Sequence, residues 1–337
     1  MNESIITNRP MSKTYTAILL GILGSLALGY LIADYIFPIT SWDWLIILGV
    51  FIGLPFLIIS LGFAVGWHGK KNAIDYTDPT WTYVPVQLSI EDVKQLDRRH
   101  KRKYWRIVAN SNYWIFFIPI ALLLFISALP VYLFIENPSL SPYDAWMYAM
   151  SLSLSYSIAS IGALRATSNS ASYDFNILLI REAIRLAKLQ ERVPGLSQVR
   201  VVLDKAQQDR YSVYTAPRVV SRVSGLEKEG YIESWSEELG AINRVLCRLY
   251  KSENHPEVLW WWFSEDRYFR KFINDDKKGY YVKYPVPFKR DAPGVKDVRQ
   301  VIENGVAIII LEWLHTRGDN ENLSLILDKL NVKRVDT

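Results

Sequence analysis

Apolar positions gather into long blocks in the first half of the chain and mix with polar ones in the second. Ala17–Phe37 is interrupted only by Asp34, and Trp44–Trp67 carries no charge. Tyr113–Ile135 carries none, and Asp144–Leu164 carries none after its first residue. A bilayer core takes about 20 apolar residues of helix, so each block is long enough to span. The pattern predicts four transmembrane helices. The fourth, AWMYAMSLSLSYSIASIGAL, is Ser-rich and mildly apolar, which predicts packing against protein rather than lipid. Gly21, Ser25 and Gly29 lie four apart, as do Gly49 and Gly53, and Gly62 and Gly66. Such spacing lets helix backbones approach, here within the four-helix unit. Pro55, Pro119 and Pro130 predict kinks.

Between the second and third blocks, SIEDVKQLDRRHKRKYWRIV reads as a short helix capped by Ser89, with Asp92 three residues on. YTDPTWTYVPV, before it, reads as an irregular loop. From about Ser172 the pattern predicts a helical domain. Expected helices are YDFNILLIREAIRLAKLQERVPG, LSQVRVVLDKAQQDR, APRVVSRVSGLEKEGYI and SWSEELGAINRVLCRLYK. The last starts at a Ser234/Glu237 pair and stripes Leu239, Ile242, Leu246 and Leu249 along one face. A further helix begins after Pro256, KKGYYVKYPVPFKRDAPG reads as extended, and VKDVRQVIENGVAIIILEWLH and NENLSLILDKL close the chain as helices. The expected organisation is a tail over 1–16, a helical hairpin over 17–67 and a basic loop over 68–112. A second hairpin follows over 113–165, then a helical domain over 172–337. The fold class is thus an all-α membrane protein, with four transmembrane helices and an all-α cytoplasmic C-terminal domain.

Charge sets the expected orientation. Arg9 and Lys13 precede the first block, and nine Lys and Arg lie in His68–Asn112. Arg165 and the basic C-terminal part follow the fourth, while PITSWDW and ENPSLSPYD hold no basic residue. The alternation predicts a multi-pass protein of the bacterial inner membrane with both termini cytoplasmic. A cleaved signal peptide is set aside because the first apolar run is long and no small-x-small site follows. The net charge of +5 is modest, and the basic loop is explained by topology and anionic headgroups. Global charge is therefore a poor argument for nucleic acid, and direct contact with it is not expected.

Catalytic signatures are missing. The sequence holds no phosphate-loop, dinucleotide, zinc-protease or nucleophile-elbow motif. His68, His100, His255 and His315 are far apart, and Cys247 is the lone cysteine. Adjacent carboxylates such as Glu265 and Asp266 point about 100° apart on a helix and do not converge. The expectation is a non-enzyme with no catalytic residue, cofactor or metal.

Two basic stripes suggest binding instead. Arg181, Arg185, Lys188 and Arg192 recur at helical spacing on an otherwise apolar helix. Arg244, Arg248 and Lys251 oppose the apolar face of theirs. Either is a solvated face, a headgroup contact or an electropositive surface for acidic peptide. Trp260, Trp261 and Trp262 cannot all face one way; two are expected in the core, and Trp262 is taken as the interface ring.

EGYIES, NRVLCRLY, PEV, WWFSED and APGVKDVRQVIENGVAIIILEWL follow in that order. The set resembles the DotM/TrbA-like (IcmP-like) membrane subunit of type IVB secretion and IncI conjugation systems. Gly230–Ser234 is similar to the family's G-V-L-x-S stretch. Asn243-Arg244-Val245-Leu246 is similar to its D-R-x-L, with Asn for Asp. Trp261–Glu265 is similar to its H-W-x-x-E, with Trp261 for His, and Pro293 onward is similar to its late P-x-V…L helix. The resemblance implies N-terminal spans, a helical cytoplasmic domain, and partnership with a coupling ATPase and acidic export signals. The resulting expectation is a non-enzymatic docking subunit of a secretion or conjugation machine, its partners being membrane lipids and a cytoplasmic protein, with homo-oligomerisation left open. A second reading is a membrane effector or sensor, for example in phage defence, acting through its spans. A third takes TAPRVVSRVSGLEKEGYI as the recognition helix of a membrane-tethered winged-helix regulator, although no wing hairpin is expected after it.

Overall fold

The computed structural model describes residues 5–36, 44–109, 141–237, 241–250, 258–265, 268–273, 276–282 and 295–332. They form two compact units, one from 1–80 with 101–176 and one from 81–100 with 177–337.

The first unit holds the membrane-type helices. After the short strand β1 (Ile6–Asn8) come α1 (Ser12–Ile36), α2 (Trp44–Leu48), a π-helical turn (Gly49–Gly53) and α3 (Leu54–Lys71). Among the described residues three helices are long and apolar enough to cross a membrane: Ser12–Tyr35, Gly49–Lys71 and Ala145–Ala166. The expected span Tyr113–Ile135 lies outside the described residues. The Ser-rich helix α5 (Ser141–Ala166) is the most enclosed, with 67% of its apolar window buried against 22% and 39% for the other two. Its hydroxyls are satisfied locally: Ser155 Oγ donates to Ser151 O at 2.7 Å, and Ser157 Oγ to Ser153 O at 2.7 Å. Ser153 Oγ also reaches the α1 carbonyl of Ile22 at 3.3 Å.

The glycine spacing serves packing inside this unit. A Cβ on Gly29 would lie 2.8 Å from the Ala149 Cα, and one on Gly66 would strike the Ser160 backbone oxygen. Gly49 and Gly53 bound the π turn instead, just ahead of Pro55. That turn offers the Val50 carbonyl to the Tyr148 hydroxyl of α5.

One end of this bundle is basic. There β1 pairs with β2 (Ile74–Tyr76), Arg9 bridges Asp75, and the buried Lys70 ammonium donates to Trp105 O at 2.8 Å and Val108 O at 3.2 Å. Asn169 and Ser172 donate to the Arg106 and Ile107 carbonyls. Ser172 opens α6 (Ser172–Phe175).

The second unit overturns the all-α expectation. It is built on an eight-stranded antiparallel meander: β3 (Tyr83–Leu88), β4 (Leu196–Gln208), β5 (Tyr211–Val223), β6 (Gly230–Ser236), β7 (Ile242–Leu249), β8 (Val258–Phe263), β9 (Phe269–Ile273) and β10 (Asp276–Val282). Four segments expected as helices are therefore β4, β5, β6–β7 and β8. YVPV, the end of the expected loop, opens the edge strand β3, where Pro85 costs no central ladder bond. Ser234 is not a helix cap but a fully buried strand residue. The recognition helix of the winged-helix reading is strand β5.

The expected helices at either side of these strands do form. They are α4 (Ile90–Lys103), capped by Ser89, α7 (Ile180–Gln190), α8 (Val295–Arg317) and α9 (Glu321–Lys329). Leu179, at φ 58°, separates α7 from α6, so the single helix expected from Tyr173 is two. Residues of α4, α7, α8 and α9 join one sheet face in a single core: Ile90, Ala183, Leu186, Ile302, Val306, Leu323, Val219, Ile232, Val245 and Trp260 are all buried. Gly305 permits the close approach of α8, since a Cβ there would lie 2.7 Å from the Cys247 sulfur. Under α7 lies a closed polar network: Ser221 Oγ donates to Gln190 Oε1 at 2.6 Å, Gln190 Nε2 donates to Ser234 Oγ, and Ser234 Oγ donates to Val219 O at 3.4 Å.

Candidate functional site

In the Trp run, strand geometry sends alternate side chains to opposite faces. Trp260 and Trp262 are 1% and 0% exposed, deep in the core. Trp261 points to the other face and is half-buried. The count of two core rings was right, but the outward ring is Trp261, not Trp262.

Cross-strand register builds the outer face in three rows. One row reads Arg222, Tyr231, Arg248, Leu259, Phe272. The next reads Val220, Glu233, Leu246, Trp261, Arg270. The third reads Val202, Arg218, Trp235, Arg244, Phe263. Five arginines thus interleave with aromatics, and Glu233 is the one carboxylate in the rows. Arg218 is neutralised: it bridges Asp204 at 2.9 Å and Glu233 at 2.6 Å.

Three of the remaining four guanidiniums, those of Arg222, Arg244 and Arg248, lie on rings. Arg244 Cζ is 3.9 Å from the Trp235 centroid and 6.0 Å from that of Trp261. Arg222 and Arg248 lie 5.2 and 5.3 Å from the Tyr231 centroid, and Arg248 Nη1 donates to the Tyr250 hydroxyl at 3.0 Å. Among the described residues Arg222 and Arg244 bridge no carboxylate. Burial, and then a hydrogen bond with Tyr250, pushes the Tyr231 phenol above its ordinary value, so it stays protonated.

The rings also engage one another. Trp261 and Phe263 are near-parallel at 5.8 Å, and Trp235 and Trp261 at 6.3 Å. A guanidinium over a ring uses its π face, and its N–H donors lie in plane. Ring edges carry partial positive charge. The surface thus offers in-plane donors and positive ring edges, a match for carboxylate or phosphate oxygens. Ring faces, which a nucleobase would need, are engaged within the ladder.

Of the residues expected to bind, Arg244 and Arg248 lie on this face, as strand neighbours four apart rather than a helical stripe. Lys251 lies outside the described residues, and Trp262 is core. Arg181, Arg185 and Lys188 are exposed on α7, with Arg192 exposed just beyond it. Because α7 covers the inner face of the sheet, its stripe and the outer-face arginines do not form one surface. Arg218, Arg222, Tyr231, Trp235, Trp261 and Arg270 were missed. Their signal is period-two alternation, as in Arg218-Val-Val-Ser-Arg222 and Tyr231-Ile-Glu-Ser-Trp235, which a helical reading discards. The described residues hold no group of three His, Cys, Asp or Glu placed to ligate a metal.

Of the four stretches that carry the family resemblance, three fall on β6, β7 and β8 and only the last runs into a helix, α8, so the all-helical domain it implies is not the fold they take. No family model matches the chain, and neither a curated protein nor a solved structure is found similar to it.

Proposed function

We propose that this chain is a membrane-anchored docking protein whose outer sheet face captures an acidic segment of a cytoplasmic partner. The observation that carries the reading is the pair Arg222 and Arg244, each held on an aromatic ring and bridging no described carboxylate. Stacking fixes their direction before a ligand arrives, so less side-chain freedom is lost on binding. Acidic motifs read by arginine clusters are a recurring recognition mode.

Anchoring rests on the three apolar helices. The basic end of the bundle, with Arg9, Lys70, Lys71 and Arg106, supports a cytoplasmic face there, by the excess of Lys and Arg on that side of inner-membrane proteins. A secretion or conjugation machine as the setting rests on the sequence resemblance alone.

The test is anisotropy titration of the full chain in nanodiscs with a labelled Glu-rich peptide. Each charge-assisted bond contributes about 1.5–3 kcal/mol, so R222Q/R244Q should weaken binding at least tenfold. R181Q/R185Q/K188Q, on the α7 stripe, should change it less than twofold. Unchanged peptide affinity in R222Q/R244Q overturns the reading. So does tighter binding of a labelled oligothymidine than of the peptide, which would make the face a nucleic-acid platform.

A further inference from the structure

The first unit carries a groove of about 510 Å³ between α1 and α3. Its floor is apolar, formed by Ala17, Leu61, Ala64 and Val65, and its mouth is formed by Lys13 and His68. Lys13 sits in the first turn of α1 and His68 in the last turn of α3, at the basic end of the bundle. Both are exposed. Trp67 also lines the groove, and the Lys71 ammonium lies 5.9 Å over its ring. Gly69 and Thr14 draw the two helices together beside the mouth, since a Cβ on Gly69 would strike Thr14.

We propose that this groove binds one anionic phospholipid, its acyl chain on the apolar floor and its phosphate between Lys13 and Lys71. Three observations converge on that occupant. Both walls are helices of spanning length and composition, so the floor lies at acyl-chain depth. The mouth carries the Lys13 ammonium, and the lining tryptophan carries the Lys71 ammonium over its ring, the pairing found at headgroup level. The volume lies within the roughly 300–1,000 Å³ range of small-molecule sites. Among the described residues neither Lys13 nor Lys71 makes an ion pair, and Lys71 lies over the indole, so both are placed for a phosphate. The site is independent of the docking face in the second unit.

Quenching of Trp67 by brominated acyl chains reads occupancy directly. The full chain is reconstituted in phosphatidylcholine nanodiscs doped with brominated phosphatidylglycerol or, separately, brominated phosphatidylcholine. Subtracting the W67F variant isolates the Trp67 signal. A basic residue near the surface is worth about fivefold in anionic-lipid affinity, so phosphatidylglycerol should quench half-maximally at a mole fraction at least fivefold lower. K13Q/K71Q should remove most of that preference, and A64W, which fills the floor with charge unchanged, should lower quenching by both lipids. Equal quenching by the two lipids in the parent chain overturns the proposal, leaving ordinary surrounding lipid. A preference that survives K13Q/K71Q overturns it as well. Lys13 and Lys71 are exposed, so their loss does not empty the fold.

Discussion

Replacing Gln190 with Leu tests whether the polar network beneath α7 closes on itself. Gln190, Ser221 and Ser234 are each 0% exposed. In Q190L the Ser221 hydroxyl loses its acceptor, and an orphaned buried donor costs about 1–3 kcal/mol. Ser234 keeps the Val219 carbonyl but loses an incoming donor, worth about 1 kcal/mol. The new Leu is apolar in an apolar layer and offsets about 1 kcal/mol of this. The net loss is about 2 kcal/mol. With a urea slope of about 2 kcal/mol per molar, the midpoint should fall by about 1 M. The assay is urea unfolding of the full chain in micelles, read by fluorescence of the buried Trp260 and Trp262. The triple variant Q190L/S221A/S234A removes every orphan and should return to within about 0.5 kcal/mol of the parent, because replacing all partners by apolar groups is nearly neutral. A single variant as stable as the parent refutes the closed network. A triple variant worse than the single refutes the orphan argument.

Two further outcomes follow from packing. G66A should destabilise the helical unit by about 1–3 kcal/mol, since the added methyl meets the Ser160 backbone oxygen rather than a movable side chain. G24A, with nothing within 4 Å of its Cβ position, should stay within about 0.5 kcal/mol; thermal aggregation followed by size-exclusion chromatography separates the two. The Cys247 thiol, fully buried under Gly305, is pushed well above its ordinary value of 9 by desolvation. It should resist maleimide in the native state and react once unfolded. Its linkage has a definite sign. The folded state holds the proton while the unfolded thiol releases it above about pH 9, so stability is constant below that pH and falls above it. Urea midpoints that rise between pH 8.5 and pH 10 (roughly the titration range of a free thiol) contradict this.

Three of the four expected membrane-type helices were legible because twenty-odd mostly apolar residues leave few alternatives, and the serines of α5 marked it as the enclosed one. The Ser89 cap and both closing helices were legible for local reasons: a side-chain acceptor followed by an amphipathic run. The sheet was lost where strands imitate helices. Ile242, Val245, Leu246 and Leu249 are buried at spacings of three, one and three, which is a helical signature. The register irregularity at Trp235/Ser236 shifts the pairing, so Ile242 and Val245 both face inward. Leu246 faces outward but is covered beside Trp261, so burial on two faces erases the alternation. In β8 three consecutive indoles conceal a plain in-out-in pattern. The arginines of β7 were placed on the proposed binding surface, yet Trp235 and Trp261 could not be, because their pairing depends on three strands meeting in register.

The order of elements along the chain carries a consequence for biosynthesis. From β4 to β10 every strand pairs with the next one along the chain, so that part of the sheet can assemble as the polypeptide leaves the ribosome. The helix that seals β6 and β7, Val295–Arg317, emerges only after every strand of the sheet. Until then Val245, Cys247, Trp260 and Trp262 lack the side chains of α8 that join them in the core. A chain cut off before Val295 therefore displays a tryptophan-rich apolar plane, an expected target for chaperones.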